Sequence, residues 1–176
     1  MLSDPVDCAI DLTVRALREC FAPDSTDPPI GGGSADVRLF AGEGTPTAAV
    51  DVHMSETDCA VTPFLWVRLV RRYRTLADVA RPYVGDTSCA APPAVTLEIG
   101  VARCAVVSAD GVDWDALARE AEIGIDDSAR IALAQCRAAT LMRAEGCSEG
   151  VGLDVVAPYG PEGGVIAWLA MLHIRL

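Results

Sequence analysis

The longest stretch of alternating apolar positions in this chain runs from Pro93 to Val107, PAVTLEIGVARCAVV. Val95, Leu97, Ile99 and Val101 fall on one side of an extended segment, and Ala94, Thr96, Gly100, Ala102 and Cys104 on the other. One side is bulky and the other small, and both are mostly apolar, so the segment is predicted to be a central strand that needs cover on both faces. Pro63–Arg74 and Val165–Leu176 share this character. In the first, strict alternation groups Leu65, Val67, Leu69, Arg71 and Tyr73 against Phe64, Trp66, Arg68, Val70, Arg72 and Arg74. In the second, Ile166, Trp168, Leu172 and Ile174 oppose Val165, Leu169 and Met171, and a sheet that includes this last segment is expected to suffer when its final residues are deleted.

A second period, close to 3.6, marks the helices. Asp4-Pro5 places an N-cap before a proline at the first helical position, and Val6, Ile10, Val14, Leu17 and Phe21 form one stripe, predicting a core-facing helix over about residues 4–22. Pro23 ends it, and residues 23–36 are loop by composition. The Gly31–Ser34 run lacks the Gly-Lys-Ser/Thr continuation of a phosphate loop. Val37–Ala41 and Ala48–Met54 are expected to form a hairpin in which Asp51 and His53 are exposed strand positions.

The second and third long strands are predicted to be antiparallel neighbours joined by the irregular excursion Asp78–Pro92, a type of segment that reaches to neighbours in assemblies. After them, Asp113 is expected to cap a short helix with Trp114, Leu117 and Ala121 facing inward. Asp126 or Asp127 would cap a second helix, striped by Ile131, Ala134, Ala138 and Leu141. The acids of this region sit where carboxylates complement helix dipoles, which accounts for them without a divalent cation. Gly146 is the expected helix end, Leu153–Val156 begins a closing strand pair, and Gly160-Pro161-Glu162-Gly163 suits a type I turn. The pattern predicts one α+β domain over residues 1–176: a mostly antiparallel sheet of long strands packed by an N-terminal helix and a central helical segment.

Composition narrows the possibilities. Hydrophobic residues make up 51% of the chain, which excludes a disordered polymer, while no run approaches the ~18 apolar residues of a membrane span. Acids near the start stand where a secretory signal would be basic, so synthesis and use in a cytosol are expected. The net charge of −11 argues against general nucleic-acid affinity. All 14 cationic side chains are Arg and Asn is absent too, the mark of a GC-rich coding sequence.

Seven cysteines at wide spacing, with no C-x-x-C pair and only His53 and His173 to join them, give no metal site and no cofactor site. They are expected to be free thiols acting as small hydrophobes, the alternative being a disulfide formed after release into an oxidising medium. No catalytic fingerprint is present, and the chain is expected not to be an enzyme. A small enzyme or ligand-binding domain with a pocket beneath Gly31–Ser34 is the competing class. The face of Pro63–Arg74 that mixes aromatics with guanidinium groups suggests a subunit interface, with a solvated edge or a DNA contact as alternatives.

The order of an amphipathic helix, long strands, a helical segment and a closing strand resembles the lambda-type tail-terminator proteins of long-tailed bacteriophages. PAVTLEIGVARCAVV, the helical part Trp114–Arg143 and YGPEGGVIAWLAMLHIRL carry the likeness. FLWVRLVRRYR with EIGVARC also looks like neck proteins of phages that infect actinobacteria. The excursion at Asp78–Pro92 and the helical region are longer than in the lambda-type protein.

The resemblance implies a virion structural protein, assembled in the host cytoplasm. It would form a ring, typically a homohexamer, at the head-proximal end of the tail tube. The ring's partners would be the tail tube protein and the head connector or stopper, with DNA passing through unbound and no membrane involved. A stopper or adaptor is the alternative within the same particle. The implied interface draws on Trp66, Arg68, Arg71, Arg72, Tyr73 and Arg74, facing Asp126 and Asp127 of a neighbour, with Pro161 and Glu162 on the final turn.

Overall fold

In the computed structural model, which describes residues 4–44, 46–59, 61–85, 88–107 and 111–176, the Pro93–Cys104 strand lies at the centre of a six-stranded sheet. In chain order the elements are α1 (Pro5–Cys20), β1 (Val37–Ala41), α2 (Thr47–Glu56), β2 (Phe64–Arg74), β3 (Pro93–Cys104), α3 (Trp114–Glu145), β4 (Gly150–Leu153), β5 (Ala157–Glu162) and β6 (Val165–Arg175). Strand order is β1-β2-β3-β6-β4, with β5 also paired to β6. Every pairing except β1 with β2 is antiparallel. The fold is α+β, as the periodicities predict.

Both faces of β3 are covered. Val95, Leu97, Ile99 and Val101 join Leu65 and Val67 of β2 and Leu172 and Ile174 of β6 under α1 and α3. α1 starts at an Asp4 cap whose carboxylate accepts from Val6 N at 3.0 Å, a bond of the kind that contributes about 1 kcal/mol. It buries Val6, Ala9, Thr13, Ala16, Leu17 and Cys20. The other face is shared. At one end α2 lays Val50 over Phe64, Trp66, Ala102 and Ala167. At the other, the excursion after β2 folds back, its carbonyls at Leu76, Val79 and Ala80 accepting from Arg175, Tyr73 and Arg71.

Four local expectations are corrected. Residues 47–56 form a helix, so β1 and β2 are parallel strands joined by a crossover, which parallel pairing requires. The Val50, Val52, Met54 alternation imitates a strand, but only Val50 is buried and Val52 is 55% exposed. His53 is accordingly half-buried on the helix, its ring 5.3 Å from that of Phe64.

The two helices expected between 113 and 145 are one helix of 32 residues. Gly124, a weak point for a helix, is buried where a Cβ would lie 3.2 Å from Trp168 Nε1, so close packing explains it and no break occurs. Asp113 caps it, accepting from Ala116 N at 3.0 Å, and Gly146 ends it at a positive φ of 71°. At ~1.5 Å per residue α3 extends about 48 Å, against roughly 36–40 Å for the long strands, so its first turns overrun the sheet.

The turn before β6 falls later than expected. β5 continues through Glu162 and the reversal is made by Gly163 and Gly164, whose φ values of 59° and 80° suit a two-residue hairpin. Lastly, four of the cysteines are paired. Cys8–Cys147 joins α1 to the chain beyond α3, and Cys59–Cys104 joins the α2–β2 loop to the end of β3. Cα separations of 6.0 and 5.6 Å lie in the normal range for bridges. Cys20, Cys89 and Cys136 are free.

Candidate interaction surface

The aromatic-guanidinium strand β2 divides at a bulge. Pairing with β3 steps from Leu69 opposite Leu97 to Arg71 opposite Thr96, leaving Val70 without a partner. Every residue after the bulge therefore changes face relative to strict alternation. Arg72 points to the helical side, where it meets the Asp4 carboxylate at 2.6 Å and holds it below the usual carboxylate range. Arg71 and Tyr73 point to the other side, with the Arg71 guanidinium 4.9 Å from the centre of the Tyr73 ring.

Before the bulge, Trp66 and Arg68 lie inside the molecule. Trp66 is fully buried and Arg68 is 6% exposed. Both bond to Glu98, which accepts Trp66 Nε1 and Arg68 Nε at 2.9 Å on one oxygen and Arg68 Nη2 at 2.6 Å on the other. Arg68 Nη1 closes the set by donating to Gly42 O at 2.8 Å. Gly100 makes room for this cluster, since a Cβ there would stand 2.1 Å from the Trp66 ring. These groups hold β1, β2 and β3 together and present nothing to a partner.

Asp126 and Asp127 are also engaged within the chain. Asp127 takes Arg103 through paired bonds of 2.6 and 2.9 Å in a buried setting, and burial raises its carboxyl above the usual range while Arg103 works the other way. Arg103 further donates to Gly31 O and Gly32 O. Arg130 pairs with Asp126 at 2.8 Å and donates to the carbonyls of Cys20, Asp27 and Pro28. Two guanidinium groups thus fasten the 23–36 loop onto α3, and the space beneath Gly31–Ser34 is filled by Arg103 and Ile123.

One polar chain merits a chemical test. Arg71 Nε donates to Thr96 Oγ1 at 3.2 Å, Thr96 Oγ1 lies 3.0 Å from His173 Nδ1, and His173 Nε2 faces Asp154 at 3.9 Å. A neutral imidazole protonated at Nε2 gives each of these donors an acceptor. Burial and then Arg71 lower the His173 pKa, in keeping with that neutral form. Thr96 is 1% exposed and its hydroxyl offers no approach to a substrate, so this Thr-His-Asp series serves as packing between β2, β3 and β6. Among the described residues, no three His, Cys, Asp or Glu side chains converge to hold a metal ion, and no helix is long and apolar enough to cross a membrane.

Two exposed surfaces that join apolar and charged side chains lie at opposite ends of the sheet. At the C-terminal end of β2 lie Arg71, Arg72, Arg74 and, on the excursion, Arg81, with Leu76 and Val84 exposed at 54% and 91%. Among the described residues Arg71 and Arg74 have no carboxylate partner. At the other end, the first turns of α3 expose Trp114 (75%) and Ile125 (70%) among Asp113, Asp115 and Glu122. Pro161 and Glu162 are exposed near that end, and Glu162 accepts from the Tyr159 hydroxyl. Sequence reasoning missed this helical surface because it turned Trp114 and Ala121 inward.

Between the first half of α3 and the β5–β6 hairpin runs an apolar groove of about 330 Å³. A separate cleft between α2 and the hairpin, lined by Val50, Trp66 and Tyr159, holds about 200 Å³, below the roughly 300–1,000 Å³ of ordinary ligand pockets. Protein-family models and curated proteins contain no match to this chain.

Proposed function

We propose that the chain is a structural subunit that completes its surface by assembly, and that its concrete role is that of a ring-forming tail terminator in the neck of a long-tailed bacteriophage. The observation that carries this is the first half of α3, which borders an open groove beside the β5–β6 hairpin and holds Trp114 and Ile125 in solvent. Large exposed apolar side chains beside a groove mark association sites in otherwise well-packed domains. The Arg-bearing end of β2 supplies a second, unlike surface, and unlike surfaces meeting in turn generate closed rings or open filaments. Two disulfides within one chain suit a particle that persists outside a reducing cytosol. Virion localisation, the tail-tube and connector partners and the hexameric ring belong to this proposal, as does the absence of catalysis. A stopper or adaptor of the same neck differs from it in symmetry.

The test is to polymerise a candidate tail-tube protein with and without this chain. Shortened tubes capped at one end by a six-fold ring support the terminator role. Rings that bind no tube, under conditions where the tube protein polymerises freely, contradict it.

A further inference from the structure

We propose that the groove along the first half of α3 receives the excursion at residues 75–85 of a second copy of this chain, so that subunits join head to tail. This rests on the reading of the chain as an assembly subunit, and names the segment that fills its open surface.

The groove is floored by Leu117, Ala121 and Gly124 of α3 on one side and by Tyr159, Ile166 and Trp168 of the hairpin on the other. Its volume of about 330 Å³ accommodates one or two aliphatic side chains. Asp115 and Glu122 stand exposed on the same helix, and among the described residues Glu122 has only the exposed Arg119 as a partner.

The excursion is complementary in shape and in charge. It exposes Leu76 and Val84, and among the described residues Arg81 beside them pairs only with Asp78 three residues earlier, where its side chain is 85% exposed and the bond correspondingly weak. Arg74, at its root, has no carboxylate partner among the described residues. Its backbone is already fixed by the bonds from Arg71, Tyr73 and Arg175, so little ordering is needed on binding. Groove and excursion sit at opposite ends of strands roughly 36–40 Å long, so one molecule cannot bring its own two surfaces together. A second copy can, and each contact leaves one groove and one excursion free for the next subunit.

Two variants test this. One blocks the excursion (Arg81→Glu with Val84→Asp), and the other blocks the groove at two residues that line it (Ala121→Arg with Ile125→Arg). All four positions are exposed, so unchanged melting curves are expected. By light scattering at low salt, the wild-type chain should assemble, each variant alone should be monomeric, and their equimolar mixture should give dimers and nothing larger, because each retains one intact surface. In the wild-type chain, assembly should also shift Trp114 fluorescence to shorter wavelength. A wild-type chain that stays monomeric at millimolar concentration, a blocked variant that assembles normally, or a mixture that stays monomeric overturns the contact. Tube capping measured in parallel separates the two claims: capping without this contact overturns only the contact, and dimers from the mixture without capping overturn only the terminator role.

Discussion

The two halves of α3 have similar composition and opposite fates. From Asp126 to Glu145 the helix packs on α1 and the sheet, burying Ile131, Ala134, Ala138 and Met142 and fixing Asp127 to Arg103. From Trp114 to Ile125 it is held more loosely: Ile123 packs beneath Gly31, Gly124 lies against Trp168, Arg119 donates to Ile30 O and Glu120 accepts from Val106 N. Beside the groove Trp114 stays 75% and Ile125 70% exposed. One helical period runs through both halves. What differs is how closely the sheet lies opposite: Ile166 and Trp168 of β6 stand across an open groove from the first half, while the second half meets α1 and the sheet directly. An apolar stripe therefore identifies a face that needs a partner without saying whether the partner is in the same chain.

The comparison can be broken most severely from the packed half. Arg103→Ala leaves Asp127 buried without its cation and should cost about 3–5 kcal/mol, read as a lowered midpoint in denaturant titration. Ile131→Ala opens a cavity at a fully buried position and should cost ~2–5 kcal/mol in the same assay. The partner experiment in the other half is Ile125→Ala, which should change stability by less than about 0.5 kcal/mol. If the two isoleucines cost the same, the division of the helix is wrong.

A smaller effect comes from the cap. Asp113→Ala removes the bond to Ala116 N and should cost about 1 kcal/mol locally, seen as faster hydrogen exchange in the first turns of α3 with protection beyond Asp126 unchanged. Trp114→Ser should have an effect on stability as small as that of Ile125→Ala. It should leave the melting temperature within about 2 °C while abolishing assembly, since an exposed side chain contributes little to the monomer.

Much of the architecture was legible because long strands and amphipathic helices carry their period in the residues themselves. α1 with its Asp4 cap, the antiparallel β2–β3 and β3–β6 pairs and the stripe of Ile131, Ala134 and Ala138 all follow from spacing. Alternation failed at Val70, where one extra residue reverses the faces of Arg71 and Arg72, because a bulge has no signature in a single charged and apolar run. It failed at Thr47–Glu56, where period 2 and a short helix are compatible with the same few valines. Asp126 and Asp127 resembled caps because acids near a helix start and acids within a helix that face a buried Arg look alike without the partner in view.

The interaction surface was legible only in part. Trp66 and Arg68 have interface composition, yet Glu98, a lone carboxylate between Leu97 and Ile99, was the sign that a buried cation lay opposite it. Arg71, Arg72, Tyr73 and Arg74 do lie at the more exposed end of β2, where Arg72 meets the start of α1. Trp114 and Ile125 became recognisable as surface only when the first half of α3 proved to border an open groove and not the core.

The most direct test of the account is the solution mass of the wild-type chain and of the Trp114→Ser variant, measured by light scattering alongside their melting temperatures. The account predicts an assembled wild type, a monomeric variant and nearly equal melting temperatures. A variant that assembles like the wild type, or a wild type that remains a monomer while the variant melts many degrees lower, would contradict it by returning Trp114 to the core of its own chain.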